Sequence, residues 1–178
     1  MKNLLSLLIA LAFFAHSEEY ERSLYGGWID ADGDCQKTRQ EVLISESLSP
    51  VIMDEKGCKV LSGTWYCPYT DRYFSDPALL DVDHLVPLAE AHRSGADKWD
   101  REKRRAFAND MEHEDALIAV YRGANRSKRD RDPADWMPEN KRYWCEYIKD
   151  WVAVKTKWNL AYSAEERARI NDLRADCK

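Results

Sequence analysis

The sequence lacks a second long hydrophobic run, a Cys-x-x-Cys pair, an internal repeat and any excess of positive charge. Its one mostly apolar stretch covers 4–14, which is too short to span a bilayer comfortably. Because Lys2 precedes this stretch and Ala15-His16-Ser17 offers a small-x-small cleavage site, we predict a signal peptide over 1–17. An uncleaved membrane anchor is the alternative. The remainder, 18–178, is long enough for one domain with a sizeable core.

The charge balance excludes one class of nucleic-acid binder. The chain has 27 basic and 32 acidic residues, a formal net charge of −5. Tight binding to DNA without sequence preference depends on neutralising many phosphates. Any contact with nucleic acid is therefore expected to be local and assisted by a metal ion.

The five cysteines all lie beyond the predicted signal peptide. In an exported chain they indicate disulfides. Cys35 and Cys58 could close the N-terminal loop, Cys145 and Cys177 could join two C-terminal helices, and Cys67 would then be left over. A Cys58–Cys67 bridge competes with this pairing. A zinc site is the other interpretation, and the absence of a Cys-x-x-Cys pair argues against it.

Two apolar segments carry the residues with the most informative chemistry. The stretch 81–88 is typical of a short strand that holds Asp83 and His84 side by side. A second apolar run at 117–121 precedes a polar stretch that is compatible with a helix and opens near Asn125. The predicted order is strand, strand, helix. The acid Asp83 and the imidazole of His84 lie near the end of the first strand, and the carboxamide of Asn125 lies near the start of the helix.

These side chains suit phosphodiester hydrolysis, which needs a base for water and a divalent cation for the scissile phosphate. Asp83 can supply an anionic oxygen and Asn125 a neutral amide oxygen, a ligand set that fits Mg²⁺. His84 has an ordinary pKa near neutrality and is the candidate general base.

At these residues the sequence resembles the HNH (ββα-metal) nucleases, most closely the secreted branch with an Asp-His pair and an Asn-Arg-Ser-Lys motif. The similar segments occur in the same order through most of the mature chain. They are Thr38-Arg39, Ser62-Gly63-Thr64-Trp65, Asp81 to Leu88, Ser94-Gly95-Ala96, Phe107-Ala108-Asn109, Ala124 to Lys128, Asp132-Pro133 and Trp136-Met137-Pro138. The resemblance implies a single-domain α+β fold in which helices cover a ββα-metal (HNH-like) core and disulfides cross-link the chain. It also implies that His84 is the base and that Asp83 and Asn125 hold the metal.

One position departs from the family pattern. Many members have Asn, and some His, directly before the second strand, where its backbone carbonyl orients the base histidine. Here that position is Ala116, and His113 or Asp115 would have to substitute for it. If neither does, the resemblance implies a degenerate, inactive nuclease.

Three basic residues are candidates for phosphate binding. Arg126 and Lys128 flank Asn125 in a basic cluster that contrasts with the acidic chain, although a solvated helix would look the same. Arg39 could also reach the site as a phosphate clamp, and a structural ion pair is at least as compatible with the sequence.

The remaining patterns predict the surrounding elements. They are a hairpin that pairs 59–61 with 64–66, a helix or strand from Thr38 to Ile44, helices at 88–93 and 98–109, and an amphipathic aromatic helix ending at 159–160. Ser163 and Glu166 predict a capping box at the start of a last helix.

We therefore expect a secreted or periplasmic, monomeric, Mg²⁺-dependent endonuclease with little sequence preference, for which Mn²⁺ or Ca²⁺ could replace Mg²⁺. DNA is the favoured substrate and RNA is not excluded, no membrane contact is expected after cleavage, and an inhibitor protein is a conceivable partner. The alternative is an exported, non-catalytic binding module that holds calcium through Asp30, Asp32 and Asp34. Their spacing imitates a calcium loop, but Cys35 occupies the position that requires glycine.

Overall fold

The computed structural model describes residues 18–112 and 115–177, so the predicted signal peptide lies outside the described residues. The α-helices are α1 (Thr38–Ser45), α2 (Leu88–Arg93), α3 (Arg101–Ala108), α4 (Arg122–Lys128), α5 (Trp144–Lys157) and α6 (Ala164–Asp176). The strands are β1 (Ile52–Met53), β2 (Val60–Ser62), β3 (Trp65–Cys67), β4 (Arg72–Phe74), β5 (Leu80–His84) and β6 (Leu117–Tyr121). Short 3₁₀ turns cover Arg22–Tyr25, Pro77–Leu79, Ala96–Lys98 and Lys141–Tyr143. Within these ranges, no helix is both long and apolar enough to cross a membrane.

The strands form three small antiparallel sheets, β1–β2, β3–β4 and β5–β6. The β5–β6 pair runs in register from Leu80 opposite Tyr121 to His84 opposite Leu117. Helix α4 follows β6 without a connecting loop, which gives the predicted order strand, strand, helix. The first four residues of β6 are buried, as expected for a strand that reads as one continuous apolar run. The mixed helix and sheet composition agrees with the α+β expectation.

The aromatic stripe of α5 is part of the core. Tyr147, Ile148 and Trp151 have no exposed surface, and Tyr147 meets the buried ring of Tyr69 edge to face, with ring centroids 5.8 Å apart. Spacings of three and four residues place these side chains on one face of the helix. Helix α5 therefore covers the hydrophobic interior, as its sequence predicts.

A buried ion pair network fastens three helices together. The Lys155 ammonium on α5 lies 2.8 Å from Glu90 of α2 and 2.6 Å from Glu166 of α6. Trp151 Nε1 also donates to Glu166, at 2.6 Å. The predicted capping box of α6 is confirmed, because the side chains of Ser163 and Glu166 each accept the other's backbone N–H.

Two disulfides close the N-terminal and C-terminal regions. Cys35 pairs with Cys58, and Cys145 at the start of α5 pairs with Cys177 just after α6. Cys67 is a buried free thiol, so the competing Cys58–Cys67 bridge does not form. Its sulfur accepts the backbone N–H of Tyr121 at 3.2 Å, which ties β3 to the end of β6.

The predicted hairpin between 59–61 and 64–66 is wrong. Strand β2 pairs with β1, whereas β3 pairs with β4. A two-residue hairpin needs backbone with positive φ in its loop, and Gly63 is not among the glycines that adopt it. Instead, Trp65 at the start of β3 turns into the core and donates its indole N–H to the Leu43 carbonyl at 2.7 Å.

Two boundaries near the site also differ from the sequence prediction. Strand β5 ends at His84 rather than continuing toward Leu88, because Pro87 starts the turn into α2. Helix α4 begins at Arg122, three residues before Asn125. Asn125 is therefore the fourth residue of the helix, at the end of its first turn.

Candidate active site

Asp83, His84 and Asn125 line one cavity of about 420 Å³ at the end of the β5–β6 sheet. The cavity wall also includes Arg22 of the N-terminal segment and Arg129, the residue that follows α4. The sequence separates Asn125 from the Asp-His pair by more than forty residues, and the pairing of β5 with β6 brings them together. The structure thus joins the three predicted catalytic residues at one concave surface.

His84 is held in a defined orientation. Its Nε2 lies 2.9 Å from the carbonyl oxygen of Ala108, and its ring stacks on Trp28 with centroids 5.1 Å apart. Since a carbonyl only accepts hydrogen bonds, Nε2 carries the proton. Burial lowers the pKa of His84 to about 4, and the Ala108 carbonyl opposes this shift only in part. At neutral pH the imidazole is therefore neutral, with a lone pair on Nδ1 that has no hydrogen-bond partner in the described part of the chain.

The carbonyl that orients His84 comes from α3 and not from the segment before β6. The Ala116 carbonyl instead accepts the backbone N–H of Leu85 at 3.0 Å. Of the two predicted substitutes, His113 lies outside the described residues, and Asp115 is on the same segment as Ala116. The sequence signal for this acceptor is the Phe107-Ala108-Asn109 segment, which belongs to the resemblance but does not by itself indicate a role.

Asn109 anchors the end of α3 that presents this carbonyl. Its Oδ1 accepts the Thr38 hydroxyl at 2.7 Å and the Ile29 backbone N–H at 3.2 Å. Its Nδ2 donates back to the Arg105 carbonyl at 2.9 Å. The side chain that follows Ala108 thus fixes the position of the acceptor for His84.

Asp83 is buried and strongly bonded on one oxygen. Its Oδ2 accepts the Tyr69 hydroxyl at 2.8 Å and the Lys128 ammonium at 2.5 Å. Burial raises the pKa of Asp83, and the Lys128 charge opposes this. The other oxygen, Oδ1, accepts no hydrogen bond from the described residues, which leaves it available to a cation.

The phosphate-binding role predicted for Lys128 does not fit its position. The ammonium has no exposed surface, and besides Asp83 it donates to the carbonyls of His84 at 3.0 Å and Leu85 at 2.8 Å. An ammonium has three N–H groups, and these contacts use all of them. Lys128 lies three residues after Asn125 on the same face of α4. Its ammonium therefore holds the Asp83 carboxylate from the protein interior and is not available to a phosphate.

Asn125 is oriented by a second acid of β5. Its Nδ2 donates to Asp81 Oδ2 at 3.2 Å. This contact fixes which end of the amide is the donor and leaves the Oδ1 lone pairs for another partner. A carboxylate oxygen from Asp83 and an amide oxygen from Asn125 are the hard donors that Mg²⁺ takes when it keeps several waters, so the residues present fit that ion.

The two arginines predicted to bind phosphate have different surroundings. Arg39 is half-buried, and its Nη2 donates to the carbonyls of Pro77 and Leu80, each at 3.1 Å, so it braces the start of β5. Arg126 projects from α4 with 69% of its side chain exposed, 3.8 Å from Asp81. Phosphate binding by either residue stays a prediction, and the exposure of Arg126 suits it better.

The acidic loop at 30–34 is a separate surface feature. Its three aspartates are exposed and lie close enough together to share a cation. However, the Asp30 oxygens already accept the backbone N–H groups of Gly33 at 2.8 Å and Cys35 at 3.0 Å. The carboxylates therefore shape the turn that leads to the Cys35–Cys58 bridge.

The β5–β6–α4 unit thus brings a buried acid, an oriented histidine and a helical asparagine to one cavity. The chain matches the C-terminal domain of the GmrSD restriction endonucleases over residues 37–171, and it belongs to that family. It is also similar to a protein of Arthroderma benhamiae described as an uncharacterized secreted protein. The two are 33% identical over 158 residues, which cover 89% of this chain and 76% of that protein. No solved structure matches. Membership of this endonuclease family supports a nuclease with a nucleic-acid substrate.

Proposed function

We propose that the protein is an HNH-type endonuclease that hydrolyses phosphodiester bonds in DNA with Mg²⁺ as cofactor. The observation that carries the proposal is the position of the His84 imidazole, which is tethered through Nε2 and lines one cavity together with Asp83 and Asn125. RNA is a further candidate substrate of the same chemistry.

The role we assign to His84 is that of general base. Nδ1 would take a proton from the water that attacks phosphorus, and the Ala108 carbonyl would stabilise the imidazolium that results. The ring cannot turn away easily, since Trp28 stacks on its face with an interplanar angle of 6°. Because Ala108 supplies the orienting carbonyl, the absence of Asn or His at Ala116 is no longer a reason to expect an inactive enzyme.

Asp83 and Asn125 are the residues that would hold the cation. When bound, Mg²⁺ supplies positive charge beside the scissile phosphate and the leaving oxygen, and Mn²⁺ or Ca²⁺ could occupy the same oxygens. Tyr69 and Lys128 hold the Asp83 carboxylate at a fixed angle. The buried ion pair thus orients the proposed metal ligand before any cation arrives.

Substrate contacts would come from arginines at the rim of the cavity. Arg22 and Arg129 are exposed and line it, and Arg126 lies on the neighbouring surface of α4. These charges suit the phosphates on either side of the scissile bond. A local cluster of this kind is consistent with binding of DNA by a chain whose net charge is −5.

We further propose that the enzyme works as a secreted or periplasmic monomer. The predicted signal peptide, the two disulfides and a similar protein described as secreted support this location. An inhibitor protein in the producing cell would be consistent with such an enzyme.

The direct test is nicking of supercoiled plasmid by the purified chain 18–178. We expect cleavage with Mg²⁺, none after chelation, and a loss of at least about 100-fold in His84→Ala, since general bases contribute roughly 10²–10⁴. Asp172→Asn, at an exposed position of α6, is the control and should keep full activity. Undiminished cleavage by His84→Ala or in the presence of chelator would reject the mechanism.

A further inference from the structure

A second group of carboxylates lies where the segment before β6 meets α5. Asp115, Glu146 and Asp150 each offer one oxygen, and these oxygens all lie within 4.8 Å of one another. Two oxygens bound to the same Ca²⁺ at about 2.4 Å can be at most about 5 Å apart. The three side chains are therefore spaced as ligands of one cation.

Asp150 brings a polar atom that the described part of the chain does not satisfy. The residue is only 3% exposed, and its Oδ2 is buried without a hydrogen-bond partner there. The Tyr143 hydroxyl, one helical turn before Glu146, is also buried and unpartnered within the described residues. Buried polar atoms in native proteins nearly always have a partner, and a missing one points to a bound water or ion.

Two carboxylates of the group lie on one face of α5. Glu146 and Asp150 are four residues apart on α5, where like charges destabilise a helix, and Asp150 lies within hydrogen-bond reach of Asp115. A neighbouring cation, Lys149, pairs with Glu146 at 2.5 Å. That pair is at the surface, with 70% of the lysine side chain exposed, so solvent screens its effect on the buried carboxylate of Asp150.

We propose that Asp115, Glu146 and Asp150 form a Ca²⁺ site that fastens the start of β6 to α5. All three ligands are carboxylate oxygens, which suit a hard cation, and the exposed side of Glu146 leaves room for the waters that complete a Ca²⁺ shell. Disulfide-bonded chains act in oxidising compartments, where calcium sites with dissociation constants of about 10⁻⁴–10⁻³ M are useful. The site is independent of the cavity that contains Asp83, and it stands whether or not the protein is a nuclease.

The test is calcium titration of the chelator-treated, disulfide-bonded chain 18–178, followed by calorimetry and thermal unfolding. We expect one site in addition to any Ca²⁺ held at Asp83 and Asn125, a rise in Tm of about 3–6 °C at 10 mM Ca²⁺, and at least about tenfold weaker binding at that site in Glu146→Gln and in Asp150→Asn. Two matched variants should bind like the wild type, Asp172→Asn on α6 and Asp30→Asn in the acidic loop. Asp83→Asn should keep this site and lose only calcium held in the active-site cavity.

The variants separate this site from its alternatives. Calcium binding with unchanged stoichiometry and affinity in both Glu146→Gln and Asp150→Asn, or the loss of all calcium binding in Asp83→Asn or Asp30→Asn, would overturn the proposal. So would a wild type that binds no calcium while Asp150→Asn unfolds at a higher temperature, because a shared proton would then balance the group. If Asp150→Asn fails to fold, Glu146→Gln decides, since it changes only an exposed side chain.

Discussion

His84 and Ala108 are joined by a hydrogen bond of 2.9 Å from the imidazole Nε2 to the backbone carbonyl. The bond selects one tautomer of the ring, and that tautomer leaves Nδ1 as the basic atom. It also connects the end of β5 to the end of α3, two elements that are far apart in the chain. The geometry of the candidate base therefore depends on how α3 packs as well as on the ββα unit.

The neutral state of His84 should cost the protein stability in acid. Its pKa is ordinarily about 6.5 when unfolded and about 4 in the fold, so between these values the unfolded chain binds more protons. The free energy of unfolding should therefore fall as pH drops from 7 to 4, and His84 should account for up to about 3 kcal/mol of that fall. Urea unfolding of the wild type and His84→Asn, with chelator present, should give a difference that shrinks toward pH 4. Parallel pH profiles would contradict burial of an uncharged ring.

Lys128 gives a prediction that separates support of Asp83 from phosphate binding. Lys128→Met leaves the buried Asp83 carboxylate without its cation, a change that typically costs about 3–5 kcal/mol. We expect Tm to fall by roughly 6–15 °C, whereas Lys98→Met, at an exposed position, should change it little. Thermal unfolding in chelator measures both. A Lys128→Met protein with unchanged Tm and only weaker substrate binding would restore the phosphate role.

The sequence predicted the parts of the site that depend on local pattern. The apolar run at 117–121 located β6, because a strand that reads as one apolar run is buried on both faces, and the apolar residues that flank Asp83 located β5. The Ser163 capping box and the α5 stripe were predicted for the same reason, since each depends on spacings within one helix.

What the sequence could not predict are contacts between distant elements. The choice of Ala108 as acceptor for His84 is made by a backbone atom, and any residue type supplies a carbonyl. The burial of Lys128 is equally invisible, because lysine is a surface residue in most settings and only the fold places its ammonium on Asp83. The pairing of β2 with β1 and of β3 with β4 could not be predicted either, since strand propensity does not reveal that Gly63 lacks the positive φ of a two-residue hairpin loop.

Arg126 should contribute to substrate binding through charge alone. Its side chain is largely exposed, so Arg126→Ala should leave Tm nearly unchanged while raising KM for DNA about threefold to tenfold at low salt. The difference from wild type should fade as ionic strength rises, because one fewer phosphate contact lowers the salt dependence. Arg174→Ala, on the exposed surface of α6, is the matched control. Equal salt slopes for the wild type and Arg126→Ala would remove Arg126 from the binding surface.

Asn125 should determine how much Mg²⁺ the enzyme needs. Asn125 is partly exposed, and the side-chain hydrogen bond that Asn125→Ala loses within the described residues is the 3.2 Å contact with Asp81, so the fold should persist. Removing one of two protein ligands should raise the Mg²⁺ concentration for half-maximal cleavage by at least about tenfold, and excess Mg²⁺ should restore part of the rate. Asn171→Ala on α6 removes an exposed amide far from the cavity and should have the wild-type requirement. A metal titration of plasmid cleavage that is identical for Asn125→Ala and Asn171→Ala would mean that the cation is held elsewhere, and the proposed pairing of Asn125 with Asp83 would fail.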